Sequence, residues 1–128
     1  MPEMSSIRFT EDHEWLRLED DGTVTIGITD YAQDQLGDIV YIELPNVGDM
    51  LSTGSEAAVI ESVKAAGEIK TAIGGEVLAV NGVLADKPEA VNLDPTDTGW
   101  FFKLAPDDVN ELDQFMDEET YQEFIKDL

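Results

Sequence analysis

The sequence contains no cysteine. Disulfide frameworks, thiolate metal sites and cysteine nucleophiles are therefore excluded. Histidine occurs once, as His13, so a histidine metal site or a serine–histidine pair would have to be built on one imidazole. Basic residues are scarce: seven Lys and Arg stand against 29 Asp and Glu, a formal charge of -22. Phosphate backbones need clustered cations, so nucleic acid is excluded as a partner, and anionic membrane surfaces are disfavoured for the same reason. A basic protein surface is compatible with this charge, but solubility or a saline habitat explains it without any partner. Long apolar runs are also missing, and none approaches the roughly 20 residues of a membrane span. Residues 1–8 carry neither a signal-peptide apolar block nor an Arg-rich amphipathic presequence. The chain reads as cytoplasmic, of bacterial or archaeal type, and a mature mitochondrial matrix form is also compatible.

What is present is enough for a core. The 128 residues are 42% hydrophobic, which suits one domain over 1–128, with a β body over about 1–104 and C-terminal helices over about 107–128. Val24, Ile26 and Ile28 alternate after Asp21-Gly22, the signature of a first hairpin with Trp15 to Leu18. Thr29 or Asp30 caps a short helix through Leu36, which Gly37 stops. Residues 38–44 read as a strand ended by Pro45. Gly48-Asp49, Gly54-Ser55 and Asn81-Gly82 are turns, Asp86-Lys87-Pro88 a short helical turn opened by Pro88, and Trp100 to Leu104 a last strand. Beyond Pro106 the period changes. Val109, Leu112 and Met116, then Tyr121, Phe124, Ile125 and Leu128, predict two amphipathic helices, the second capped near Asp117. Glu118 and Glu119 there complement a helix start rather than bind a cation. Trp15, Trp100, Phe101 and Phe102 read as core rather than as a stacking surface. Short strands with regular turns predict a small antiparallel sandwich or barrel.

Chemistry concentrates in Glu61-Ser62-Val63-Lys64-Ala65-Ala66-Gly67. Strand-like runs flank it, which places Lys64 at a hairpin tip between the small or apolar Val63 and Ala65. An amine so presented is open to acylation, which removes its charge and puts a reactive group on a long arm. On position alone, an ordinary solvated turn lysine accounts for it as well. His13 and Glu14 are adjacent, and neighbours on a strand face opposite ways, so they are not expected to form an acid–base pair.

Val47-Gly48-Asp49 and Gly54 before the lysine, and Gly75-Glu76 after it, resemble the turn framework of lipoyl and biotinyl carrier domains. Biotin carriers usually flank their lysine with Met, and lipoyl domains of 2-oxoacid dehydrogenases place Asp directly before it. Glu-Ser-Val-Lys-Ala is the form typical of the glycine cleavage H proteins. The resemblance extends through Glu14-Trp15-Leu16, Gly27 to Gln33, Leu36-Gly37-Asp38, Leu44-Pro45, Val80-Asn81, Val91-Asn92, Asp94-Pro95 and Gly99-Trp100. Departures are Lys70-Thr71-Ala72 for the family's Tyr-Ala-Pro, Gly74 for a Ser, and Tyr31 for a His. The Gly74-Gly75 pair predicts a looser turn.

The resemblance implies a mainly β, barrel-sandwich hybrid of two antiparallel sheets with short helices and a helical C-terminal cap. It implies a carrier without catalytic or metal-ligating residues, holding lipoate in amide linkage to Lys64. Glu61, Ser62, Val63 and Ala65 would be the turn that a lipoyl or octanoyl transferase or lipoate ligase reads. Glu14 would lie near a cleft sheltering the aminomethyl-loaded arm, and an ordinary surface carboxylate accounts for it as well. The implied partners are a pyridoxal-phosphate glycine decarboxylase, a tetrahydrofolate-dependent aminomethyltransferase and dihydrolipoyl dehydrogenase, and the free carrier would be a monomer. Two rivals remain at this point: a lipoyl relay to 2-oxoacid dehydrogenases, and an unmodified acidic interaction domain.

Overall fold

The computed structural model describes residues 7–126 and 128. Strands β1 (Ile7–Phe9), β2 (Glu14–Leu18) and β3 (Val24–Ile28) form an antiparallel meander. Asp21 closes its hairpin by accepting from the Thr23 amide and hydroxyl, at 3.0 and 2.7 Å. Helix α1 (Asp30–Leu36) follows, with the Thr29 hydroxyl accepting from the Ala32 amide at 3.2 Å, so Thr29 is the cap of the two candidates the sequence offers. Strands β4 (Ile39–Glu43), β5 (Met50–Leu51), β6 (Glu56–Ser62), β7 (Ala66–Lys70), β8 (Gly75–Val80) and β9 (Phe102–Pro106) complete two antiparallel sheets. One has the order β1-β2-β3-β9-β8-β5, the other β4-β6-β7.

The core lies between the sheets. Leu16, Val24, Ile26, Ile28, Ile60, Ile73, Val77, Phe102 and Leu104 are all buried within it. Strand β3 departs from simple alternation, because Thr25 is fully buried as well. Its hydroxyl donates to Glu19 at 2.5 Å, which satisfies the one polar group on that face. A second cluster of Phe9, Trp15 and Tyr121 explains why the outer side is covered too. Trp15 donates its indole N–H to the Pro95 carbonyl at 3.0 Å.

Four local expectations change. The last strand begins at Phe102, and Trp100 is only half-buried, because Phe101 leaves the sheet ladder to bond Ile26 and Asn81. Pro88 does not open a helix. It sits between two single-turn helices, α2 (Val83–Asp86) and α3 (Ala90–Leu93). Residues Val109–Gln114 form a 3-10 helix in which Leu112 is buried and Val109 exposed, while Met116 pairs with Phe9 as a β-bridge. Helix α4 (Glu118–Lys126) matches its expectation: Asp117 accepts from the Thr120 amide at 2.8 Å and Tyr121 is buried, although Leu128 is exposed. Finally, Gly74 and Gly75 do not loosen their turn. Both are buried, and a Cβ on Gly75 would stand 2.3 Å from the Ala105 carbonyl oxygen, so the pair lets two strands approach closely. Among the described residues no helix is long and apolar enough to cross a membrane.

Candidate functional site

Strands β6 and β7 pair from Glu56–Lys70 to Glu61–Ala66, so Ser62 to Ala65 form the hairpin tip. Ser62 organises it. Its amide donates to the Ala65 carbonyl at 2.7 Å, and its hydroxyl accepts from the Lys64 and Ala65 amides at 3.2 and 3.1 Å. A hydroxyl that bonds the backbone two and three residues on is a local turn device. The Val63 amide donates sideways to the Asp38 carbonyl at 3.0 Å, tying the tip to the chain entering β4. Lys64 itself is exposed, as are Glu61, Val63 and Ala65, and Ser62 is half-buried. The five residues named from the sequence therefore lie together on one hairpin tip. Among the described residues no ion pair holds the Lys64 amine.

The lysine stem has a neighbour that the sequence did not single out as functional. It lies over Gly37, where a Cβ would stand 3.3 Å from Lys64 Cε. Gly37 has φ 80, in the left-handed region where side chains are disfavoured. Asn92 holds this segment. Its side-chain amide donates to the carbonyls of Gly37 and of the Gln33 side chain, and its oxygen accepts from the Ile39 amide, each at 2.9 Å.

Glu14 lies elsewhere. It opens β2, is 3% exposed, and lines a cavity of about 470 Å³ together with Thr10, Asp12, Lys70, Thr71 and Phe115. A surface carboxylate is thereby excluded. Burial, reinforced by the Asp12 charge, pushes its carboxyl up to about 8. Lys70 is four residues along β7 from Ala66, roughly 13 Å at strand rise, so Glu14 and Lys64 do not touch. His13 does not pair with Glu14 either. Its Nδ1 lies 2.9 Å from the Tyr121 hydroxyl, which also bonds the Thr29 hydroxyl at 2.8 Å. Burial lowers the imidazole pKa and the Asp12 charge partly offsets that. Its place is structural. Among the described residues no cluster of His, Asp and Glu could hold a metal ion.

Two facing antiparallel sheets with an exposed lysine at the tip of the β6–β7 hairpin define the class as a carrier-type barrel-sandwich. The comparisons give the particular family. Residues 7–128 match the model of the Glycine cleavage H-protein family. The chain is 54% identical to the glycine cleavage system H protein of Teredinibacter turnerae, over 96% of this chain and 95% of that one. It is 55% identical to the H protein of Methylocella silvestris, over 96% and 98%. The crystal structure of the H protein from Mycobacterium marinum superposes with a TM-score of 0.86 at 28% identity, covering 98% of this chain and 99% of that one. The chain belongs to the glycine cleavage H-protein family, whose members are lipoyl carriers of the glycine cleavage system and not catalysts.

Proposed function

We propose that this chain carries lipoate in amide linkage to the Nζ of Lys64 and serves as the aminomethyl shuttle of a bacterial, cytoplasmic glycine cleavage system. The observation that carries this reading is the exposed amine on a turn tied entirely by Ser62 and backbone groups. The residues present fit the group. Acylation neutralises an amine that no carboxylate partners among the described residues, and the small or apolar side chains of Val63 and Ala65 leave it open to a lipoyl or octanoyl transferase or a lipoate ligase. When bound, the lipoyl group would supply a dithiolane that takes an aminomethyl group at a pyridoxal-phosphate glycine decarboxylase, yields it at a tetrahydrofolate-dependent aminomethyltransferase, and is reoxidised by dihydrolipoyl dehydrogenase. The folded body keeps that group at high effective concentration for each enzyme in turn. We assign Glu14 to the amine of the loaded group. Glu14 is itself buried at the wall of its cavity, and an arriving cation would draw the carboxyl back to its charged form.

Intact mass after co-expression with a lipoate ligase is the test. The expected result is a gain of one lipoyl amide in the wild type and none in Lys64→Ala. No gain, or a gain that survives in Lys64→Ala, would overturn the reading. The lipoylated protein should then stimulate glycine-dependent carbon dioxide exchange by purified glycine decarboxylase. A mass gain without stimulation would reassign the chain as a lipoyl relay to 2-oxoacid dehydrogenases.

A further inference from the structure

Two supports meet the acceptor lysine from outside its own hairpin, and both come from one short connector. Gly37 lies under the stem, and the Asp38 carbonyl accepts from the Val63 amide. Residues 37 and 38 join α1 to Ile39 at the start of β4, where a backbone with a left-handed glycine has more conformations than a regular element. Asn92 removes that freedom. A carboxamide offers two N–H donors and a carbonyl acceptor, and all of these are engaged, on Gln33, Gly37 and Ile39. The clamp thus spans the end of α1, its cap and the first residue of β4. Val91, the preceding residue, is fully buried and anchors α3 from which Asn92 projects.

We propose that Asn92 is a positioning residue for the acceptor amine. By locking the 37–38 connector it fixes the shelf beneath the Lys64 stem and the carbonyl beside the Lys64 turn, so the amine emerges in one direction. This inference rests on Lys64 being the acylated residue. In the reaction it serves, a bond forms between Nζ and the acyl carbon of lipoyl adenylate. The acyl–phosphate bond breaks, AMP leaves, and the ammonium gives up two protons. Asn92 touches none of these atoms. It acts through Gly37 and Asp38, on the orientation in which the amine meets the acyl carbon, and misplacement by about 1 Å can lower such rates as much as a hundredfold.

The test is steady-state lipoylation of the full chain by a lipoate ligase with lipoate and ATP, varying carrier concentration at 25 °C. Asn92→Ala should lower kcat about tenfold or more with KM near that of the wild type, because the exposed residues of the turn are unchanged. The Val63 amide should exchange faster with solvent. Asn92→Asp keeps the acceptor for Ile39 but offers no donor to Gly37, and should show the same selective loss. Leu112→Ala removes buried packing from a separate element, the 3-10 helix Val109–Gln114, and leaves every Asn92 bond in place, so it controls for stability: its Tm should fall while kcat holds. If Asn92→Ala fails to fold, Gly37→Ala must give the kcat loss, since it alters the same shelf. Wild-type kcat in Asn92→Ala, or an equal loss in Leu112→Ala, overturns the positioning role alone. Absence of acylation in the wild type overturns it together with the proposed function.

Discussion

Burial at the start of β2 and the Asp12 charge hold Glu14 protonated up to about pH 8, against an ordinary value of 4.5. Between those values the folded protein keeps a proton that the unfolded chain releases. Stability from this residue is therefore full below about pH 4.5, declines as pH rises through about 8, and is flat above. Glu14→Gln has the same shape and no charge to desolvate. Its unfolding free energy relative to wild type should rise across that window, by at most about 4–5 kcal/mol at about 1.4 kcal/mol per pH unit. Urea unfolding of both proteins at pH 5, 6.5 and 8 reads this difference, and a difference constant with pH would show that the folded carboxyl is already charged. Alternation along β2 tells which way Glu14 and Trp15 point, but not that both faces are covered. That depends on α4 and the 94–99 loop arriving from far along the chain. Asn92 is illegible for the same reason, since its partners lie 53 to 59 residues away. Lys64 was legible because its turn is made by its own neighbours.

Helix α4 is attached to the body through one hydroxyl as well as through packing. Tyr121 stacks on Phe9 with ring centroids 4.7 Å apart, and its oxygen joins His13 to Thr29, the residue that caps α1. Tyr121→Phe preserves the stacking and breaks both bonds, leaving the buried Thr29 hydroxyl without that partner. The expected loss is about 1–2 kcal/mol, seen as a lower Tm with an unchanged far-UV spectrum. No loss would mean that water replaces the tyrosine hydroxyl there. The elements at each end of this contact were readable from the sequence, because Thr29, Gly37 and Asp117 are local stop and start signals. Helices α2 and α3 were not. Each is one turn long, with too few residues to show a period, and only the burial of Leu84 and Val91 in the main core selects them.

At the scale of the whole molecule, the formal charge is -22, with 29 acids against seven Lys and Arg, so most of the acids have no basic side chain to pair with. Self-repulsion then opposes compactness at low salt, where the Debye length is about 30 Å at 0.01 M, and fades as salt shortens it. Tm should rise by several degrees between about 0.01 and 0.5 M sodium chloride, a shift worth roughly 1–2 kcal/mol. A fall with salt would mean that attractive pairs dominate. The two-sheet architecture itself was legible, because every strand of the lysine hairpin and of the first hairpin carries its own turn chemistry. The Lys64 turn has one more consequence. Its bonds run through Ser62 and main-chain groups, and none uses the amine. A group attached there would break none of these bonds, so the turn needs no refolding to be loaded or unloaded, and loading could follow folding at any time.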